Sequence, residues 1–121
     1  MSIRSIQRHE ARISIRAEPE WVPVEGNAMA SGDDALDREV EQEILQRLNQ
    51  GDIWAWAAVT VEASWKSFRG IATLGCCSYE SEEEFCQPDG YFDDLVSEAL
   101  EDLNREVSEA HQNLKERELA V

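Results

Sequence analysis

Three cysteines and two histidines are the side chains best suited to metal binding or nucleophilic attack in this chain. A zinc site would combine Cys76, Cys77 and Cys86 with His9 or His111 as the fourth ligand. Adjacent cysteines on a strand point to opposite faces, however, and neither C-x2-C nor H-x3-H spacing is present. A cysteine nucleophile would also need a neighbouring base, and only the two histidines could supply one. The pattern therefore favours buried or idle thiols, and we expect no metal and no cofactor.

Carboxylates are so abundant that a pair for acid–base catalysis is easy to propose. Such a pair needs an apolar cleft that separates the two pKa values, whereas the acids here fall on helical faces that the pattern turns towards solvent. The six glycines are scattered and form no G-x-x-x-x-G-K phosphate loop. We therefore expect that the chain is not an enzyme.

The stretch from Asp89 to about Leu119 carries the clearest pattern in the chain. Its large apolar residues recur at steps of three or four, which predicts an α-helix with one apolar side. These residues are Phe92, Val96, Ala99, Leu103, Val107, Ala110 and Leu114. Between Asp89 and Glu109 there are eight acids and a single base, Arg105. Six of the acids, here called the acidic stripe, share the other side of the helix: Asp94, Glu98, Glu101, Asp102, Glu106 and Glu109.

The acidic stripe would place neighbouring carboxylates ~5–6 Å apart along one line of the helix. This spacing approximates that of the phosphates of a nucleic-acid strand, ~6–7 Å through the backbone. A rigid rod of carboxylates could thus occupy a protein groove that holds DNA or RNA, because the helix is ordered before it binds. The alternative is a solvated face that keeps a small protein soluble. Self-repulsion along the helix costs stability, which favours a use for the charge.

The first half of the chain predicts one strand and one helix. Apolar and polar residues alternate over 11–17, which indicates a half-buried strand, and prolines then predict a loop over 18–32. A first helix is predicted over 31–51, with acids in its first turn and Gly51 as a left-handed cap. The basic residues 1–10 are predicted to form a flexible arm.

A hairpin is predicted after this helix. Residues 53–66 are rich in β-branched and aromatic side chains, and their core face is small and Ala-rich. A turn over 67–70 and a return strand over 71–79 complete the hairpin. Trp54 and Trp56 point away from the core face and are candidate partner-binding residues. The alternative, which we favour, buries them under a second layer such as the loop before the first helix.

The order of elements predicts an α+β fold. Ser81 and Glu84 fit a capping box, which indicates a short helical turn before Pro88. The sequence β-loop-α-β-β-α then gives an antiparallel sheet of about three strands packed by two helices, in a single domain over 1–121. The C-terminal helix would be ~45 Å long, so its last turns could overhang the sheet and meet another chain.

The charge of the chain restricts its partners. The net charge is −15, although residues 1–16 are basic, with four arginines and His9 against Glu10. An acidic surface repels nucleic acid and anionic membranes, so we expect no direct binding to either and a basic partner instead. No apolar run approaches the length of a membrane span, and the first residues lack the apolar middle of a signal peptide. We therefore expect a cytoplasmic location.

The segments GDIWAWAAVTVEASW, LGCCSYESEEEF and DGYFDDLVSEALEDL resemble small acidic open reading frames of phages and other mobile elements. That class includes anti-CRISPR and anti-restriction proteins, which are often acidic single-domain inhibitors, and some of these act by imitating nucleic acid. The resemblance implies a protein that evades host defence in the cytoplasm of the host cell.

Two functional hypotheses follow. In the first, a non-enzymatic inhibitor uses its acidic stripe, with Trp54 and Trp56, to block a basic nucleic-acid-binding host protein such as a CRISPR effector complex or a restriction enzyme. In the second, the chain is a structural or assembly adaptor of a phage or mobile element that dimerises through its long helix. The apolar edge formed by Val107, Ala110 and Leu114 would then matter more than the acids.

Overall fold

The structure of the chain is a computed structural model that describes residues 5–119, with side chains up to residue 116. Its elements are strand β1 (Arg12–Pro19), helix α1 (Asp34–Asn49), strands β2 (Ala57–Trp65) and β3 (Phe68–Cys77), short helix α2 (Glu82–Phe85) and long helix α3 (Phe92–Leu119). Single 3-10 turns lie at Arg8–Glu10 and Ile53–Ala55. The predicted α+β class and the long C-terminal helix are confirmed.

The described strands form one antiparallel sheet in the order β1-β2-β3. The register of β1 on β2 is continuous, from Arg12 opposite Ser64 to Pro19 opposite Ala57. The β2–β3 hairpin closes more tightly than predicted, because Trp65 pairs with Phe68 and leaves only two residues in the turn.

One irregularity bends β3 near its end. Ala57 lies opposite Cys77 but Val59 lies opposite Leu74, so β3 carries an extra residue there. Cys76 lies in this bulge with a φ of 55°, in the left-handed region that non-glycine residues rarely adopt.

The main core lies between the sheet and α3, which packs on β3 and β2. Alternate residues of β2 point to the helix and are fully buried, as the small Ala-rich face predicts. They meet a buried row on α3: Leu95, Val96, Ala99, Leu103 and Val107. Gly70 allows this close packing, since a Cβ there would collide with the backbone of Ala99 and Leu103.

Helix α1 packs differently from the prediction of two helices on the sheet. It lies mainly against the Ile53–Ala55 turn and against the loop that connects β1 to α1. These form a smaller side cluster, whose buried members are Val24, Ile44, Ala55 and Trp56. The predicted left-handed cap is confirmed, because Gly51, two residues after the end of α1, has a φ of 86°. The described residues therefore form two hydrophobic clusters, and α3 belongs to the larger one.

Residues 5–10 are packed against α3, which corrects the prediction of a flexible arm over 1–10. The Ile6 side chain is buried, and its backbone N–H donates to Asn104 Oδ1 at 2.7 Å. Asn104 Nδ2 donates in return to the Ile6 carbonyl at 3.2 Å. One apolar side chain and one amide thus fasten this segment to the helix, and residues 1–4 lie outside the described part.

Candidate functional site

Most of the acidic stripe lies on the open side of α3. Packing of the apolar row onto the sheet fixes the rotation of the helix about its axis, and this turns the opposite side outwards. Asp94, Glu98, Glu101, Glu106 and Glu109 are exposed, and from first to last they extend over ~22 Å of helix. The predicted exposure is therefore present for these five carboxylates.

These five carboxylates have no ion-pair partner within the described part of the chain. The arginines that form ion pairs there use other acids, in the pairs Arg8–Asp93, Arg16–Glu18, Arg47–Asp52, Arg69–Glu62 and Arg105–Asp102. Uncompensated carboxylates along one helix side create a strong negative potential in front of it.

Asp102 differs from the rest of the acidic stripe because the fold uses its carboxylate. Oδ2 accepts a hydrogen bond from the Ile71 backbone N–H at 2.9 Å, and Oδ1 pairs with Arg105. The side chain is only 22% exposed. The bond to Ile71 ties α3 to the outer edge of β3, so Asp102 has a structural role and is a poor choice for testing partner binding.

The arginine of the N-terminal segment that pairs with α3 in the described residues does so at the beginning of the helix. Arg8 pairs with Asp93 at 2.9 Å, and its guanidinium lies 5.7 Å from the centre of the Phe92 ring. Asp93 is outside the acidic stripe, so this contact leaves the five exposed carboxylates unpaired.

Further exposed acids lie on the two other helices. On α1 and its cap they are Asp33, Asp34, Glu39 and Glu43, and around α2 they are Glu80, Glu82, Glu83 and Glu84. Arg47 connects these two regions, because its guanidinium bonds Asp52 Oδ2 at 2.9 Å and the Tyr79 carbonyl at 2.6 Å. Exposed acids are therefore not confined to α3. Those on α1 are positioned by the packing of that helix in the side cluster.

The two candidate tryptophans do not form a binding surface. Trp56 is 3% exposed and lies in the side cluster, and its Nε1 donates to the Val22 carbonyl at 2.6 Å. Trp54 is half-buried and packs on Phe85, with ring centres 5.6 Å apart. The partner-binding role proposed for Trp56 is therefore wrong for this conformation, and burial by a second layer is confirmed. The Ile53–Ala55 turn is the reason, because it interrupts the strand pattern before Ala57.

The three cysteines are all free thiols. Among residues 5–119 no group of three or more His, Cys, Asp or Glu side chains is arranged to hold a metal. Burial raises the pKa of Cys77 to about 11 and also raises the pKa of Cys86, which keeps both as neutral thiols near pH 7. Cys76 is exposed in the β3 bulge.

Glu20 is a carboxylate that no sequence pattern distinguishes from the other acids. Its oxygens accept hydrogen bonds from the backbone N–H groups of Cys76 at 2.9 Å and Val22 at 3.1 Å. These bonds lower the pKa of Glu20, with the Cys76 N–H as the largest cause. The side chain fastens the loop after β1 to the bulge in β3, which is a structural role.

An apolar groove lies beneath the last turns of α3. It is lined by Trp65 and Phe68 from the hairpin and by Val107, Ala110, His111 and Leu114 from the helix. The Leu114 side chain is 58% exposed. The Nε2 atom of His111 is shielded from solvent and has no hydrogen-bond partner among the described residues.

No protein-family model, curated protein or solved structure matches the chain. Within residues 5–119, no helix combines the length and apolarity needed to cross a membrane.

Proposed function

We propose that this protein is a non-enzymatic inhibitor of a host defence complex, of the anti-CRISPR or anti-restriction kind. It would bind a basic nucleic-acid-binding surface in the host cytoplasm and present the acidic stripe where that surface receives phosphates. The observation that carries the proposal is the row of five exposed carboxylates without ion-pair partners, on a helix whose other side is packed on the sheet.

The way α3 is held supports this role. A binding rod gains affinity when its shape is set before it meets the partner, since less conformational entropy is then lost. Buried contacts along the first four turns of α3, together with the Asp102–Ile71 and Asn104–Ile6 hydrogen bonds, fix the acidic stripe relative to the sheet. Electrostatic attraction would also accelerate association with a basic groove.

The test compares two proteins with equal net charge. In one, Glu98→Gln, Glu101→Gln and Glu106→Gln neutralise the acidic stripe without touching Asp102. In the other, Glu25→Gln, Glu39→Gln and Glu43→Gln remove three exposed carboxylates away from α3. Each protein is immobilised and exposed to host lysate at low salt, and bound proteins are eluted with a salt gradient and identified.

We expect wild type and the second variant to capture the same basic nucleic-acid-binding protein. The acidic-stripe variant should bind it at least about tenfold more weakly and with a shallower dependence on salt. Duplex DNA or RNA should displace the captured protein from wild type. Equal binding by both variants, or a captured protein that nucleic acid does not displace, would refute the mimicry.

A second candidate function rests on the apolar groove. As an assembly adaptor, the chain would dimerise through the end of α3, where Ala110 and the exposed Leu114 border an apolar surface. Leu114→Asp should then convert a dimer into a monomer in sedimentation. A Leu114→Asp protein that assembles like wild type would exclude this mode.

A further inference from the structure

The two edges of the sheet are treated differently by the rest of the fold. On the outer edge of β3, the Ile71 N–H is satisfied by Asp102 of α3. On the outer edge of β1, no hydrogen bond from the described residues reaches the backbone of Ile13, Ile15 or Ala17. A free strand edge of this kind is a template for pairing with another strand.

The direction of the β1 backbone groups can be read from one hydrogen bond. The Glu20 N–H donates to the Trp56 carbonyl at 3.3 Å. When the β1–β2 register is extended by one residue beyond Pro19 and Ala57, Glu20 lies directly opposite Trp56. Even-numbered residues of β1 therefore turn their backbone groups to β2, and odd-numbered residues turn theirs outwards. Pro19 agrees with this parity, because its missing N–H falls on the free edge.

The side chains of the same odd-numbered residues form an apolar row that the rest of the fold covers only in part. Ile13, Ile15 and Ala17 lie opposite Ala63, Val61 and Val59, so their side chains share the helix side of the sheet. Because α3 packs on β3 and β2, this row remains half-buried while its partners on β2 are fully buried. A strand added beside β1 would cover it.

A second copy of β1 fits this edge in a symmetric register centred on Ile15. With Ile15 opposite Ile15 of the second copy, Ile13 faces Ala17, and about six backbone hydrogen bonds form between the outward groups. On the other side of the sheet, Arg12 then faces Glu18 of the second copy, and the pair occurs twice. Arg12 has no ion pair among the described residues, and Glu18 has a free oxygen beside its 2.6 Å contact with Arg16.

Neighbouring symmetric registers fail on charge. Outward groups pair only when odd residues face odd residues, so the next registers are centred on Ser14 or on Arg16. The first places Arg12 against Arg16, and the second places Arg16 against Arg16. Like charges directly opposite each other destabilise a strand pair. Hydrogen-bond parity, the apolar row and charge together favour the register centred on Ile15 over these two neighbours.

We infer that the protein forms a two-fold dimer through the outer edge of β1, centred on Ile15, with reciprocal Arg12–Glu18 pairs. Two three-stranded sheets then become one continuous six-stranded sheet. This interface lies on the sheet and leaves the acidic stripe of each copy on its own α3.

The test exploits the reciprocity of the charge pair. Arg12→Glu alone turns both Arg12–Glu18 contacts into pairs of carboxylates. Glu18→Arg alone turns both contacts into pairs of cations. Each single variant should therefore dimerise at least about tenfold more weakly than wild type in sedimentation equilibrium. In an equimolar mixture both contacts between positions 12 and 18 again join opposite charges, one in the wild-type order and one reversed, so a heterodimer should form.

Two further measurements guard against misfolding and against the other interface. Circular dichroism must show that both variants keep the wild-type spectrum, and Leu114→Asp must leave the dimer intact. In wild type, raising the concentration should slow hydrogen exchange at the amides of Ile13, Ile15 and Ala17 but leave those of Arg12 and Arg16 unchanged. A monomer up to about 1 mM, two variants that self-associate like wild type, or a mixture without heterodimer would each overturn the inference.

Discussion

Helices α1 and α3 carry similar densities of acidic residues but are fastened to the molecule by very different means. Helix α3 buries Leu95, Val96, Ala99, Leu103 and Val107 in the main core. Helix α1 fully buries only Ile44 and rests on a loop and a 3-10 turn. Local stability follows the amount of buried apolar contact, so α1 should open more readily than α3. An acidic surface that must stay in one place is therefore better built on α3.

The largest effect should come from the contact that lets α3 approach the sheet. Gly70→Ala adds a Cβ that collides with the backbone of Ala99 and Leu103, which cannot move aside like a flexible side chain. We expect a loss of about 3 kcal/mol or more in the free energy of unfolding, measured by urea denaturation.

Gly90→Ala is the matched control for this substitution. Its added Cβ would lie 3.5 Å from the Gln87 carbonyl oxygen, an ordinary contact, so stability should change little. If Gly70→Ala proved as mild as Gly90→Ala, the close packing of α3 on β3 would be wrong.

The next effect compares the two clusters directly. Leu103→Ala removes a fully buried side chain of the main core and should cost about 3–4 kcal/mol, whereas Ile44→Ala in the side cluster should cost about 2 kcal/mol. Leu36→Ala, at a site 40% exposed, should cost less than about 1 kcal/mol. Chemical denaturation followed by circular dichroism measures all three, and a reversed order for the first two would contradict the comparison.

The smallest effect on the free energy of unfolding comes from Arg47, and hydrogen exchange should show it in α1 and not in α3. Arg47→Ala removes the hydrogen bonds to Asp52 and the Tyr79 carbonyl and should cost about 1–2 kcal/mol. Hydrogen exchange should accelerate at amides of α1 and stay unchanged in α3.

Asn104→Ala is the counterpart of Arg47→Ala, because it removes a contact of α3 and none of α1. It should accelerate exchange in residues 5–10, which Asn104 fastens to α3 through Ile6, and leave α1 as it was. Uniform acceleration along the chain in either variant would mean that the two clusters unfold as one unit.

The sequence predicts much of the fold because the signals for helices and strands are local. Periodicity predicts α3 and β2, and the left-handed Gly51 is a local helix stop. Ser81 caps α2 by accepting from the Glu84 N–H, although the reciprocal half of the capping box is absent, because the Glu84 carboxylate accepts from the Glu80 N–H instead. The exposure of five acidic-stripe carboxylates followed from the same periodicity, since the apolar side of α3 had to face the sheet.

The remaining features depend on contacts between distant residues, which leave no local pattern. The turn at Ile53–Ala55 reorients Trp56 so that α1 and the preceding loop can bury it. Asp102 looks like the other acids of the stripe until Ile71, thirty-one residues earlier, is placed beside it. The bulge at Cys76 likewise depends on Glu20, which accepts the Cys76 N–H.

The Asp102–Ile71 hydrogen bond also limits how far the sheet can grow. A sheet with two open margins can add chains without end, as fibrils do. Here a carboxylate from α3 takes up the Ile71 N–H on the β3 margin, whereas the β1 margin would be paired in the proposed dimer. In the proposed dimer, pairing at β1 would then stop at two copies, and replacing Asp102 should favour larger assemblies.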